Sequence, residues 1–266
     1  MLKDITLGQY YPADSVIHKL DPRTKLFATL LYIISLFLFQ NVAGFVVATV
    51  FLVVFVVLSK VPFGYMVKGL KAIVIILLIT AVFNLFLTPG ETLVRFGIFK
   101  ITDAGVVSAV RMAVRLIYLI LGTSVITLTT TPNALTDGLE KALHPLNKIK
   151  VPVHEIAMMM SIALRFIPIL VEETDKIMKA QIARGADFES GNLIKKAKNM
   201  VPLLVPLFIS AFRRANDLAM AMEARCYHGG EGRTKMKPLH YKRRDGIAYL
   251  IVIVYFVVMV VTRVVI

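Results

Sequence analysis

The chain is apolar at nearly every position between residues 26 and 58. As one helix that stretch would be about 50 Å long, far beyond a hydrocarbon core of roughly 30 Å. The cluster Gln40-Asn41-Val42-Ala43-Gly44 is its only polar, turn-forming interruption, which predicts a tight helical hairpin with spans over about residues 22–39 and 42–60. A third span is expected over 72–87, introduced by Lys68 and Lys71 and stopped by Thr88-Pro89-Gly90. A fourth runs over 104–130, and a fifth over 246–262, preceded by Lys242-Arg243-Arg244 and followed by Arg263. The fourth carries Arg111 and Arg115, four residues apart and hence on one helical face; snorkelling to the interface is the preferred reading over a buried functional pair.

Between 131 and 245 the pattern changes. No apolar run of span length is apparent, yet the segment is too apolar for a disordered tail. Three amphipathic helices are expected. A short one over 134–143 follows Thr131-Pro132-Asn133 and ends at Pro145. A long one after Pro152 carries Ile156, Met159, Met160, Ala163, Leu164, Ile167, Leu170 and Val171 at three- and four-residue spacing, with Pro168 as a kink. Another lies over 192–225, with Pro202 and Pro206 in its middle. The fold class is therefore an all-α membrane protein of about five transmembrane helices. Its domains are a membrane part (1–130), a helical region (131–245) and a C-terminal span (246–266).

Composition agrees with this division: 57% of residues are hydrophobic, mean hydropathy is +0.73, and Trp is absent. The net charge of +14 does not point to nucleic acid, because the basic residues flank apolar blocks and gather in the 131–245 region instead of forming one stripe with interleaved aromatics. Anionic headgroups and orientation account for it better. Lys3, Lys19, Arg23 and Lys25, then Lys60, Lys68 and Lys71, and the basic central region all fall on one side of a five-span arrangement. The Gln40–Gly44 turn is uncharged, and the 89–103 loop balances Arg95 and Lys100 against Glu91 and Asp103. The expectation is a cytoplasmic N-terminus and central region. The first hydrophobic segment is read as retained, since no short apolar core with a small-residue cleavage site precedes it.

The two long helices end alike, in Ile182-Ala183-Arg184-Gly185 and Glu223-Ala224-Arg225-Cys226. An Arg in a last turn with Gly beyond it is ordinary helix capping. Two copies in equivalent places also suit a pair of docking points, since Arg between small residues can present a two-pronged donor to a carboxylate or helix terminus. Both readings stand on spacing alone.

Other chemistry is thin. The single Cys226 excludes an internal disulfide framework. No Gly-x-x-x-x-Gly-Lys-Ser/Thr loop is present, so no ATP site is recognisable. His154-Glu155 begins like a zinc-protease motif, but Met158 stands where the second His belongs. His18, His144, His228 and His240 are scattered, Gly229-Gly230-Glu231-Gly232 reads as a flexible connector, and Met158, Met159, Met160, Met220 and Met222 suit core filling or an adaptable surface.

The chain resembles the transmembrane component, T, of energy-coupling factor (ECF) transporters, a CbiQ-like family, over nearly its whole length. The stretch from Gly8-Gln9-Tyr10-Tyr11 through Ser15-Val16-Ile17-His18-Lys19-Leu20-Asp21-Pro22-Arg23-Thr24-Lys25 is similar to the family's lead-in to its first span. Ala183-Arg184-Gly185 and Ala224-Arg225-Cys226 resemble its paired three-residue motifs with Arg in the centre, Cys226 standing where Gly or Ala is commoner. The resemblance implies a non-catalytic scaffold in a prokaryotic cell membrane. Its partners would be two homologous ATP-binding-cassette (ABC) ATPases, which hold the ATP and Mg, and a membrane-embedded S subunit that captures a vitamin or other micronutrient. The three central helices would then be cytoplasmic coupling helices, and this chain would carry no cofactor of its own. Two alternatives are an autonomous secondary transporter, which calls for buried ionisable residues near the midplane, and a membrane-bound lipid-modifying enzyme, which calls for a carboxylate or metal constellation at the interface.

Overall fold

Asp21 starts the first helix. Its carboxylate accepts from the backbone N–H of Arg23 at 2.9 Å, and Pro22, which lacks an N–H, stands at the first helical position, so the first two positions of α1 (Pro22–Leu38) leave no orphan donor. A computed structural model of the chain describes residues 9–96, 99–188, 192–230, 236 and 238–265. The expectations for Lys3, Gly8, Glu231 and Gly232 lie outside that range, as do those for the side chains of Lys68, Arg95 and Lys100.

After the Gln40-Asn41 turn comes α2 (Val42–Ser59), then α3 (Phe63–Leu87), a two-stranded antiparallel hairpin β1 (Thr92–Phe96) and β2 (Phe99–Thr102), α4 (Asp103–Thr129) and α5 (Pro132–Leu143). A 3₁₀ turn, His144–Ile149, leads into α6 (Val153–Ala183), followed by α7 (Leu193–Glu223) and α8 (Arg243–Val265). The long helices run continuously through Pro168, Pro202 and Pro206.

Three expectations are corrected. The third helix begins at Phe63, nine residues before position 72, and bends by 60° between Phe63–Lys71 and Ile73–Leu87. Lys68 and Lys71 thus belong to a first, more polar limb of one helix. The segment read as a loop over 89–103 contains the hairpin, and the hydroxyl of Thr102 at its end accepts from Gly105 N–H and donates to the Thr88 carbonyl, tying the strand to the start of α4 and the end of α3. Finally, α6 has the length and composition of a membrane span, as do α2, α4, α8 and the two limbs of α3 together. Five of its seven charged residues, Glu172, Glu173, Asp175, Lys176 and Lys179, are gathered in the second half, which leaves only Glu155 and Arg165 in a mostly apolar first half. The 17-residue α1 is about 25 Å long by helix rise, slightly short of a hydrocarbon core.

The chain divides into two compact units, one formed by Gly8–Lys141 with Leu239–Ile266, the other by Ala142–Pro238. In the first, α1 packs on α4 and α8, and α2 packs on α4 and α8. The core between them includes Tyr32, Leu36, Phe39, Leu52, Val125, Leu128 and Met259. Phe51 and Tyr255 stack at 4.0 Å between ring centroids, and the Tyr255 hydroxyl meets Ser35 Oγ at 3.0 Å. Gly122 is required here: a Cβ at that position would fall within the Tyr32 ring, whose hydroxyl donates to the Tyr118 carbonyl at 3.0 Å.

Buried polar contacts hold one end of this bundle. The Asp245 carboxylate accepts from the backbone N–H of Asp21 at 2.7 Å and of Lys242 at 2.8 Å, joining the starts of α1 and α8. Lys25 donates to the Thr129 carbonyl at 2.8 Å and to Thr130 Oγ1 at 3.2 Å, joining α1 to the end of α4. Arg115 departs from simple snorkelling: half-buried, it donates to the carbonyl of Phe39 at 2.9 Å and so caps α1, while Arg111 is exposed.

Candidate functional site

In the second unit α6 and α7 lie antiparallel. Met158 near the start of α6 accepts a hydrogen bond from the Tyr227 hydroxyl beyond the end of α7 at 3.1 Å. Glu173 pairs with Arg214 at 2.5 Å, and Gln181 near the end of α6 donates to the carbonyl of Pro202 in the first half of α7 at 3.3 Å. Between them lie Ile162, Phe166 and Leu170 of α6 and Ala211, Ala215, Leu218 and Met222 of α7. The inward stripe of α6 therefore runs through 162, 166 and 170, whereas Ile156, Met159 and Met160 of the expected stripe are exposed.

Antiparallel packing sends the two Arg-centred triplets to opposite ends of the pair. From Met158, level with Tyr227, to Arg184 is 26 residues of helix, or about 40 Å at 1.5 Å per residue.

The two ends are closed by the same backbone device. Gly185 N–H donates to the Ile182 carbonyl at 2.9 Å and Ala186 N–H to the Gln181 carbonyl at 3.0 Å; Cys226 N–H donates to the Glu223 carbonyl at 2.9 Å and Tyr227 N–H to the Met222 carbonyl at 3.1 Å. In each triplet the third residue has a left-handed backbone, φ 86° at Gly185 and 54° at Cys226. This is the Schellman arrangement, in which a residue of positive φ lets the chain turn back over the last carbonyls. Capping thus accounts for Gly185 and Cys226. It leaves Arg184 and Arg225 unexplained, since both side chains are exposed and, among the described residues, make no hydrogen bond or ion pair.

The six residues singled out by spacing accordingly fall into two groups of three: Ala183, Arg184 and Gly185 at one end, Ala224, Arg225 and Cys226 at the other, all exposed. Sequence reasoning missed the outer face of α7. Val201, Leu204, Val205, Phe208, Ile209 and Phe212 recur at three- and four-residue spacing and are 41–68% exposed, an apolar stripe turned away from α6 that the same periodicity could have revealed. Among the described residues no three His, Cys, Asp or Glu side chains gather as metal ligands. Gly230 lies against the His154 ring, where no Cβ would fit.

Comparison with known proteins adds an independent line. The sequence profile of the CbiQ family, described as cobalt transport protein, matches residues 13–236. A protein of Clostridium kluyveri is 58% identical over 266 residues, covering 99% of this chain and 98% of its own length. One of Acidaminococcus fermentans is 52% identical over 263 residues, covering 99% and 98%, and one of Bacillus subtilis 50% identical over 246, covering 92% and 93%. All three are named energy-coupling factor transporter transmembrane protein EcfT. With a profile match over most of its length and relatives 50–58% identical over 92–99% of it, the chain belongs to the CbiQ family and is a multi-pass transmembrane transporter component of the energy-coupling factor type.

Proposed function

We propose that this chain is the non-catalytic scaffold of an ECF-type importer, linking two ABC ATPases to a membrane-embedded S subunit that captures a vitamin or other micronutrient. The observation that carries the reading is the placement of Arg184 and Arg225 at opposite ends of one antiparallel helix pair, in identical caps, about 40 Å apart by helix rise. One partner surface of ordinary size does not span both tips, whereas two homologous partners, one per tip, match the repetition. Each guanidinium offers a fork of donors to a carboxylate or helix C-terminus in an ATPase groove.

ATP and Mg belong to the ATPases in this scheme. Closure of the ATPases displaces the two tips, α6 and α7 carry the displacement as rigid struts, and the apolar stripe of α7 from Val201 to Phe212 is the surface that the S subunit follows. Such coupling requires ATPase states that differ in their contacts with the tips. In this proposal the N-terminus, α6 and α7 lie on the cytoplasmic side, a reading that the distribution of Lys and Arg supports. There α6 runs along the membrane face beside α7 instead of crossing, despite its span-like length and composition.

The test is co-purification of a tagged chain from its native membrane. Recovery of two ABC subunits and a small hydrophobic protein, all lost when Arg184 and Arg225 are both changed to Glu, supports the scaffold. Recovery of the chain alone, active by itself in liposomes, overturns it.

A further inference from the structure

The bundle holds a cleft that the docking reading leaves unused. It lies between α1, α2 and α8, encloses about 200 Å³, and is walled mostly by apolar side chains, Phe51, Phe55 and Leu58 of α2 and Ile247 and Ile251 of α8 among them. Leu58, Ile247 and Ile251 are themselves 48%, 60% and 52% exposed. The cleft therefore opens sideways onto the surface that two spans present to lipid tails.

Its polar lining is confined to few groups, three of which come from one end of the bundle: Thr24 and Lys25 in the first turn of α1 and Arg244 in the first turn of α8. Thr24 is 1% exposed, and its hydroxyl has no hydrogen-bond partner among the described residues. Arg244 Nε is buried and equally without a partner among the described residues. A polar group withdrawn from water without a partner is a standing cost that a ligand can remove. The nearby carboxylates are otherwise engaged. Asp21 holds Arg23 through both oxygens, and Asp245 accepts the Asp21 and Lys242 amides. Among the described residues the Lys25 ammonium is bound only by carbonyl and hydroxyl oxygens. Two cations and an unused hydroxyl at one end of an apolar slot call for an elongated ligand with an anionic, hydrogen-bond-accepting head.

We propose that this cleft is a binding site for an anionic phospholipid, one acyl chain lying between α2 and α8 and the phosphate oxygens accepting from Thr24 and Arg244 beside the Lys25 ammonium. A lipid seated there bridges the starts of α1 and α8, the same ends that the Asp245 carboxylate joins.

The full chain, purified in detergent and stripped of lipid, is offered phosphatidylglycerol or phosphatidylcholine of identical acyl chains at equal concentration, and retained lipid is read by native mass spectrometry. Retention of phosphatidylglycerol at least tenfold above phosphatidylcholine is expected. Arg244→Gln and Ala248→Phe, the latter filling the slot without touching charge, each reduce retention about tenfold; Arg244→Lys keeps most of it, and Arg263→Gln at the far end of α8 changes nothing. Equal retention of the two lipids by the unmodified chain overturns the proposal, whatever the variants do. So does an equal effect of Arg263→Gln, which would make the preference one of bulk charge. A rise in thermal midpoint with millimolar inorganic phosphate as large as with phosphatidylglycerol would make the site one for free phosphate. If Ala248→Phe leaves lipid retention intact yet strips other subunits from the co-purified complex, the cleft is a seam between proteins and the proposal falls.

Discussion

Gly185 and Cys226 occupy the same position in two different helices. Each directly follows an Ala-Arg pair at a helix end, each has positive φ, and each donates its N–H to the carbonyl three residues back while the next N–H reaches five residues back. A glycine meets that conformation freely; a cysteine meets it at a cost of about 1–2 kcal/mol for crowding its Cβ against the following carbonyl. The backbone, more than side-chain size, is what the two triplets share.

Changing Cys226 to Gly is therefore expected to stabilise the chain by about 1 kcal/mol and leave transport unchanged. Gly185→Ala moves in the opposite direction by a similar amount. Thermal midpoints of the two variants, together with hydrogen exchange at the amides of Gly185, Ala186, Cys226 and Tyr227, check both signs.

Under the proposed function, the arginines of the two triplets act on partners and not on folding. Arg184→Glu or Arg225→Glu alone is expected to leave the chain in the membrane at normal level and lower the yield of co-purified ATPase sharply, in line with the roughly 3–5 kcal/mol set for breaking one buried ion pair. Normal substrate uptake by the double variant would remove both residues from the coupling mechanism.

Gly122 lets Tyr32 lie across α4. Gly122→Ala puts a methyl into that ring's place and should destabilise the bundle by about 1–3 kcal/mol, as overpacking does. Tyr32→Leu should recover part of the loss when combined with Gly122→Ala, so that the double variant unfolds at a higher temperature than the sum of the singles requires.

Asp245 is 1% exposed and takes one backbone N–H on each carboxylate oxygen. Asp245→Ala strands both donors and should cost about 3 kcal/mol; Asp245→Asn keeps a single acceptor and should cost roughly half as much. Denaturation in detergent at fixed lipid content distinguishes the two.

His18 fastens the lead-in segment, with Nδ1 against the Ser15 hydroxyl at 2.7 Å and Nε2 against the Tyr11 carbonyl at 2.9 Å. Burial pushes its imidazole below the ordinary histidine range, more than the Tyr11 carbonyl raises it. The folded chain thus favours the neutral ring. That contribution is complete above the unfolded value, about 6.5, and is lost as pH falls below it through the folded value. The thermal midpoint should drop between pH 7 and pH 5 by more in the unmodified chain than in His18→Gln, and parallel curves would sink the idea.

Much of this was legible beforehand. The uniform apolar run of α2 and the Gln40-Asn41 turn place the first hairpin within a residue or two, because a span needs little beyond length and hydropathy. The start of α3 was not legible: Lys68 and Lys71 look like a boundary, yet a helix tolerates them in a limb that bends by 60° before its apolar half. Nor could spacing tell that Asp21 and Asp245, 224 positions apart, share a hydrogen bond, or that Arg115 would find the Phe39 carbonyl. Such pairings depend on how helices are set beside one another. The triplets were found as a repetition in the sequence, while the positive φ of Cys226 that explains its third letter appears only in the backbone.

The self-sufficient closure of the two helix tips sets limits on how these triplets can drift. Shape is assigned to the third residue and chemistry to the second, so a substitution at 185 or 226 is filtered by tolerance of left-handed backbone, which admits Gly, Asn or Asp and rejects Val, Ile and Thr. If Arg184 and Arg225 dock partners as proposed, those positions are filtered only by whatever reads the guanidinium. Partner specificity can thus change at the middle residue while the tip keeps its fold.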